Sequence, residues 1–466
     1  MNSKHHPAEP FRIKSIESIK LLSEQERALK LNKAHNNIFK LDAEDIYIDL
    51  LTDSGTTALS NKQWAAIMLG DESYAGAKSF KWFEKAVKDI FKHKYVIPTH
   101  QGRSAENIMF STIVKPGQYV FNNTHFDTTK GNTLHKGGIP LDFPCIQSKD
   151  NSDFPFKGNM DVLALEEAIL KHGVDKIAMV MMTITNNSVG GLPVSIENIR
   201  EVSALCKQHN LLFYFDCARF AENAFFIKRN EPEFADSSIE EITAEMFELV
   251  DGALMSAKKD GMSNIGGFIT LNDKKLHEKL IELMIIVEGF PTYGGLTGRD
   301  MECLAVGFYE VMDETYLEYR IGQVKYLGEK LKDVGIPIVE PTGGHAVFID
   351  AGVFLSHIPA EEFPGQALTA AFYLEGGIRT VEIGSVMFGE KDSKTGKAIL
   401  APREMVRLAI PRRVYTASHI DYIVETAKKI VEKKDTLCGY KITKQPKFLR
   451  HFTCDLEKLT SQKIKS

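Results

Sequence analysis

The chain has 466 residues, of which 43% are hydrophobic and 26% charged. That is enough apolar material to bury a large core, so general disorder is excluded. The formal net charge of −5 leaves no basic excess for a phosphate backbone, which argues against nucleic acid as the main partner. Six cysteines are too sparse for a disulfide scaffold, and none has CxxC spacing, so a reducing cytoplasm fits. No apolar run is longer than Ile177 to Met182, which is far too short to span a bilayer. The polar start holds two prolines within MNSKHHPAEPFRIK and does not read as a signal peptide.

The first 60 residues are irregular and are expected to pack on the C-terminal part or on a partner subunit. Phe80, Phe83, Val87, Ile90 and Phe91 recur at helical spacing, with Ser79 as the expected N-cap. Short strands are expected at Tyr95–Ile97 and Gln118–Phe121. Ile177–Thr185 is apolar on both faces, as in a central strand under helices on each side. Ser195 precedes a helix with Ile196, Ile199, Val202, Leu205 and Cys206 on one face. Further strands are expected at Leu211–Phe215, Leu249–Met255 and Phe268–Leu271. Strand and helix alternating in this way predict an α/β domain with a mostly parallel sheet. After about residue 310 the pattern changes. A long amphipathic helix through Leu317 and Leu331 ends near Gly335, followed by strands at 345–350, 378–383 and 406–410 and helices near 366–375 and 418–433. This predicts a smaller α+β domain over 311–466, a large domain over 61–310, and an arm over 1–60 that joins the small domain.

In such sheets, ligands bind beyond the carboxyl ends of the strands. After Leu211–Phe215 come Asp216 and Arg219. After Leu249–Met255 come Ser256, Lys258 and Lys259. A lysine there can be desolvated into a nucleophilic amine. After Tyr95–Ile97 comes THQGRSAEN, with a glycine, an arginine and a helix start that suit a phosphate. A phosphate site, a carboxylate and a reactive lysine are the requirements of pyridoxal phosphate (PLP). Each piece alone is weak, and a nucleotide-binding site fits the same pieces. The absence of GxxxxGK[ST] and of a strand-led GxGxxG lowers that alternative. No HExxH or compact His/Cys cluster points to a catalytic transition metal.

IDLLTDSGT (48–56), GDESYAG (70–76), PTHQGR (98–103), FDCARFAEN (215–223), MSAKKD (255–260), EGFPTYGGL (288–296), GGHAVF (343–348) and IPRRVYT (410–416) resemble the β-eliminating lyases. The likeness runs from about PAEPFRIKS to LRHFT, nearly the whole chain. It implies the aspartate-aminotransferase type of PLP fold (fold type I), an α/β architecture with a mostly parallel seven-stranded sheet. It also implies a homotetramer with sites at subunit interfaces. Lys259 is the implied Schiff-base lysine and the base for the Cα proton. Ser256, Lys258, Gln101, Gly102 and Arg103 are implied contacts to or near the phosphate, and Phe126 is implied to stack on the pyridine ring. Asp216 is implied to pair with the ring nitrogen and Arg219 to bond the phenolate oxygen. Arg407 is the implied clamp for the substrate carboxylate, aided by Asn187 and Thr52. Tyr74 and Tyr293 are implied to reach the phosphate or assist proton transfer from a neighbouring subunit. Glu72 and the carbonyls of Gly55 and Asn264 match the family's potassium ligands, and oxygen-only ligands suit a hard cation.

The family's branches differ where the side chain leaves. A phenol-releasing enzyme places an arginine in MERG, whereas this chain has VEIG with Ile383. An apolar residue cannot hydrogen-bond a phenol but can line an indole, beside Phe39. Asp127 after the stacking aromatic and His451 in LRHFT also match the indole-releasing branch, and with Tyr74 they are the candidates for protonating the leaving group. VKPGQYV, NIGGF and GLTGRDME resemble the phenol-releasing branch. The expected reaction is elimination of indole from L-tryptophan, leaving pyruvate and ammonia. The alternatives are phenol release from tyrosine and β-elimination from cysteine-type amino acids. Leu192, Ser104 and Cys217 depart from the family pattern, and the poorly matching stretch from about 133 to 156 is expected to be a loop near the site.

Overall fold

The computed structural model describes residues 6–150, 152–391, 397–446 and 449–460. By internal contacts the chain divides into two compact units. The large one comprises Ser54–Ile321 with Arg412–Val414, and the small one Met1–Asp53, Gly322–Pro411 and Tyr415–Ser466.

The large unit is built on seven strands: β1 (Tyr95–Thr99), β2 (Tyr119–Asn122), β3 (Ile139–Asp142), β4 (Ile177–Thr183), β5 (Phe213–Asp216), β6 (Gly252–Ser256) and β7 (Gly267–Leu271). Their spatial order is β1-β7-β6-β5-β4-β2-β3. Only β7 runs antiparallel to its neighbours. The two-residue period of a strand sorts the side chains onto two faces. Val180, Met182, Phe213, Phe215 and Met255 enter one apolar cluster, while Met179, Met181, Tyr214 and Leu254 enter the cluster on the other face. Helix α1 (Lys78–Phe91) covers the first face through Phe83, Val87 and Phe91, and α2 (Gly102–Ile113) covers the second through Ala105, Ile108 and Met109. Phe91 anchors the first cluster, its ring centroid 4.7 Å from Phe247, 4.9 Å from Phe220 and 5.2 Å from Phe268. With both faces buried, central strands have no polar side to show, so they read as continuous apolar runs.

Three local details differ from the sequence expectation. Residues 139–142 form the edge strand β3, although 133–156 is expected as loop. This strand is partly exposed, and its burial leaves no clear alternation to read. Ser79 lies inside α1, and Ala77 is the N-cap. Asp71 does the capping from outside, its carboxylate accepting the Lys78 and Ser79 amides at 2.9 and 3.0 Å. These bonds hold the Asp71 carboxyl well below the usual carboxylate range. Leu249 to Asp251 form the turn ahead of β6 rather than its first residues. Ser195 caps α4 (Ile196–Gln208), accepting the Asn198 amide at 3.1 Å.

The small unit holds a three-stranded antiparallel sheet of β8 (Ala346–Asp350), β9 (Val381–Ile383) and β10 (Met405–Ala409), with β10 central. Residues Ile48–Asp49 pair parallel with Ile378–Arg379, which ties the N-terminal segment to the last third of the chain. Arg379 reinforces that pairing through an ion pair with Asp49. Helix Pro364–Gly376 is buried on nearly every side, as its all-round apolar sequence requires, and Ala417–Lys433 packs against it. No helix among the described residues is long and apolar enough to cross a membrane.

Candidate active site

In the large unit, β1, β5 and β6 are mutually parallel, so their carboxyl ends lie at the same edge of the sheet. Asp216 closes β5, in register with Thr183 on one side and Leu254 on the other. Burial pushes the Asp216 carboxyl pKa up, and the charges of Lys259 and Arg219 act against that rise. A carboxylate at the end of a buried strand is costly without such cations, and the two residues three and forty-three positions further on supply them. Arg219 is buried, donates its backbone N–H to the Ile184 carbonyl at 3.3 Å, and stands as N-cap of α5 (Phe220–Asn230). Lys259 is half-buried in the turn after β6, its carbonyl accepting the Met262 amide at 2.9 Å.

The sheet edge also holds the residues expected to meet a phosphate. Gln101 is extended and bridges Gly266, and Gly102 starts α2 directly against Ser256. A Cβ on Gly102 would lie 2.6 Å from the Ser256 Cβ, closer than carbon atoms approach. The glycine therefore lets a helix N-terminus sit against the end of β6, and free N–H groups there favour an anion. Lys258 points its amine to within 3.5 Å of Gln101 Oε1. Its pKa is lowered by burial and then by the Arg103 charge, two like cations that an anionic phosphate would relieve. Gly102→Ala should destabilise the chain by about 1–3 kcal/mol and weaken binding of a phosphate-bearing cofactor. Thermal melting of the cofactor-free protein and a PLP titration check this; wild-type values in both would contradict the steric argument.

Phe126 is the N-cap of α3 (Asp127–His135), and Asp127 accepts the Thr128 amide at 2.6 Å. The edge strand explains their placement. Asp142, the last residue of β3, accepts the His125 amide at 2.7 Å and lies 2.6 Å from His125 Nδ1. Asn187 is buried in a short turn after β4. Tyr74 is exposed, its ring 5.2 Å from that of Tyr293, which raises the Tyr74 phenol pKa by hydrogen bonding. Ser104 donates its hydroxyl to Glu288, which also accepts the His100 amide at 3.0 Å. The segment Glu288 to Tyr293 is thereby tied to the THQGR loop. Cys217 is buried, with its thiol pKa pushed well up by burial, and Leu192 is buried as well.

Of the expected potassium ligands, Gly55 and Asn264 lie side by side. Asn264 Nδ2 donates to the Gly55 carbonyl at 3.0 Å, and a Cβ on Gly55 would lie 3.1 Å from the Asn264 carbonyl oxygen. Glu72 is ion-paired with Arg299 at 2.9 Å.

Apart from Asn187, the residues expected to bind substrate belong to the small unit. Arg407 lies in β10 between Phe348 and Val381 and donates to the Leu51 carbonyl at 3.1 Å, beside Thr52 in sequence. Ile383 is buried with Phe348, Val381 and Met405, and Phe39 packs against this cluster. The buried His451 ring lies 5.6 Å from that of Phe39.

Sequence reasoning missed three buried charged residues around the large-unit site. Glu106 on α2 accepts the Thr129 hydroxyl at 2.8 Å and the Thr128 hydroxyl at 3.2 Å. Its carboxyl is pushed up to about 7 by burial and then by Asp216. Asp260 and Arg412 form an ion pair at 2.7 Å. The one sequence signal for Glu106 is an acidic residue among Ala105, Ile108 and Met109 on an otherwise apolar face.

These residues fit PLP: an anion site at a helix start, an interior carboxylate for the ring nitrogen, an arginine and a lysine at adjacent strand ends. Residues 49–426 match the family model described as "Beta-eliminating lyase". The chain belongs to the β-eliminating lyases. This lyase is 54% identical over 452 residues to the tryptophanase of Hyphomonas neptunium, covering 97% of this chain and 99% of the relative. It is 48% identical to the tyrosine phenol-lyase of Clostridium tetani, covering 98% and 99%. Among solved structures, the lyase superposes on Sphingomonas wittichii serine palmitoyltransferase with a TM-score of 0.56 at 15% identity, covering 84% of this chain and 88% of that one. At that identity the likeness establishes the fold alone, which is the PLP-dependent fold type I.

Proposed function

We propose that this β-eliminating lyase binds PLP and cleaves L-tryptophan to indole, pyruvate and ammonia, as a potassium-dependent homotetramer in the cytoplasm. The observation that carries the proposal is the Asp216–Arg219–Lys259 constellation beside the Gly102–Ser256 anion site, in a chain with whole-length likeness to tryptophanases. The six free cysteines support a reducing compartment.

When bound, PLP supplies an electron sink for the carbanion formed at the substrate Cα. Lys259 acts on the Cα proton, its amine placed by the turn that follows β6. Asp216 holds a proton on the ring nitrogen, with the charges of Lys259 and Arg219 opposing the rise that burial imposes on its carboxyl. Phe126 stacks on the ring, and Gln101, Gly102, Arg103, Ser256, Lys258 and Tyr293 serve the phosphate. Arg407 grips the substrate carboxylate with two parallel N–H bonds, assisted by Asn187 and Thr52. An aryl carbanion is a very poor leaving group, so Tyr74, Asp127 and His451 are assigned to delivering a proton to indole C3. Ile383 and Phe39 offer the indole an apolar wall, supported by the cluster they share. Gly55 and Asn264 carbonyls and the Glu72 carboxylate are assigned to potassium.

Assays of indole from L-tryptophan and of phenol from L-tyrosine, each in potassium and in sodium buffer, test the proposal. The expected result is rapid indole release that falls in sodium. Rapid phenol release with no indole would overturn the substrate assignment in favour of the second reading, which the 48% likeness to a tyrosine phenol-lyase supports.

A further inference from the structure

We propose that Asp260 and Arg412 form a buried positioning pair that fixes Lys259 and Arg219 relative to each other. The proposal rests on the assignment of those two residues to PLP. Asp260 directly follows Lys259 and is fully buried. One of its oxygens, Oδ2, accepts the amides of Ala221 and Glu222 at 2.9 and 3.3 Å, in the first turn of α5. Arg219 is the N-cap of that helix. The Asp260 amide donates to the Ala218 carbonyl at 3.2 Å. Three bonds therefore join the residue after Lys259 to the two sides of Arg219.

Arg412 sets the direction of this clasp. It is fully buried, and Nη2 donates to Asp260 Oδ1 at 2.7 Å and to Glu222 Oε1 at 2.9 Å. Arg320 approaches the same Glu222 oxygen at 3.2 Å. The two Asp260 oxygens thus face different partners, which fixes the carboxylate plane; without Arg412, Oδ1 loses this partner and only the Oδ2 bonds orient the carboxylate. The electrostatics agree with this geometry. Burial raises the Asp260 pKa to about 6, opposed first by Arg412 and also by Arg219, while Glu222 adds to the rise. At its carbonyl, Arg412 accepts the Ala58 amide at 3.1 Å and the Thr57 hydroxyl at 3.3 Å, so the guanidinium is carried by a fixed backbone.

The test uses full-length Asp260→Asn and Arg412→Met, with Arg412→Lys as the charge-keeping control. Each variant is assayed by melting without cofactor, by PLP titration, by visible absorbance of the loaded protein, and by kcat and KM. Both variants are expected to bind PLP at least about tenfold more weakly, with altered cofactor absorbance. The kcat should fall about 100-fold, the scale expected for a misplacement near 1 Å, with KM little changed. Arg412→Lys, which keeps the charge, should recover part of the loss that Arg412→Met shows. Lowered melting with wild-type PLP affinity and absorbance would make the pair purely structural and overturn the proposal. Failure of both conservative variants to fold would overturn it too, since the pair would then be a folding element. Failure of the wild-type chain to bind PLP would strike the cofactor assignment instead, which separates the two outcomes.

Discussion

Lys259→Ala leaves a folded protein that turns over tryptophan at least about 10⁴-fold more slowly, the upper range for a lost proton-transfer group. The lysine is half-buried, and its turn is held by backbone bonds that alanine keeps. The Met262 amide reaches the residue-259 carbonyl at 2.9 Å, Ala257 donates to Gly266 at 3.0 Å, and Gly55 donates to the Lys258 carbonyl at 2.8 Å. The loss is therefore chemical. No other lysine can take its place at that turn, because Lys258 is directed toward Gln101 in the anion site. A second consequence follows from the charge. Lys259 opposes the burial that raises the Asp216 pKa, so its removal should drive Asp216 toward the neutral acid and weaken its hold on the ring proton. Indole release, pyruvate release and the visible absorbance of the PLP-loaded variant check this. Turnover within tenfold of wild type, with the wild-type absorbance, would remove Lys259 from the chemistry.

Asp216→Asn is the second large effect. An amide cannot keep a proton on a pyridine nitrogen, so kcat should fall about 10²- to 10³-fold, the scale of a lost preorganised electrostatic group. Asp216→Glu, which keeps the charge, should retain more activity. Stability moves the other way. Burial raises the folded-state pKa of this carboxyl above its ordinary value, despite Lys259 and Arg219. Such a group favours folding below its unfolded pKa, and that contribution is lost as pH rises through the folded pKa. Above its unfolded pKa the buried carboxyl therefore costs folding free energy, and cofactor-free Asp216→Asn should melt no lower than wild type. Calorimetry at pH 5 and pH 8 reads this directly. A melt several degrees below wild type at pH 8 would show that the carboxylate holds the strand ends together rather than straining them.

Much of the fold was legible because burial on two faces leaves a plain trace in composition. Ile177 to Thr185 is apolar on both faces, as suits a central strand, and Val180 and Met182 duly separate from Met179 and Met181 across the sheet. The strand-end positions of Asp216, Lys259 and the THQGR loop were legible for the same reason, since each follows such a run. The parallel pairing of Ile48–Asp49 with Ile378–Arg379 joins segments more than 300 residues apart, and nothing local announces it. The cap of α1 was misread because the acceptor, Asp71, lies outside the helix and reaches back to two of its amides. The half-exposed strand Ile139–Asp142 is only four residues long and gives little pattern to read, yet it places Asp142 against His125 and so sets the start of the helix that carries Phe126 and Asp127.

By itself the sequence determined the α/β class and the family, and it pointed to the residues proposed to carry the chemistry, because short-range patterns and motifs carry that information. Only the tertiary structure decided how those residues are held: Gly102 against Ser256, Glu106 beneath the first turn of α3, and Asp260 between Arg412 and the start of α5. The composition that left no disulfide scaffold and no basic excess says nothing about these groups. A buried charge is tolerated only where a distant partner meets it, and the partner's position is a property of the folded chain.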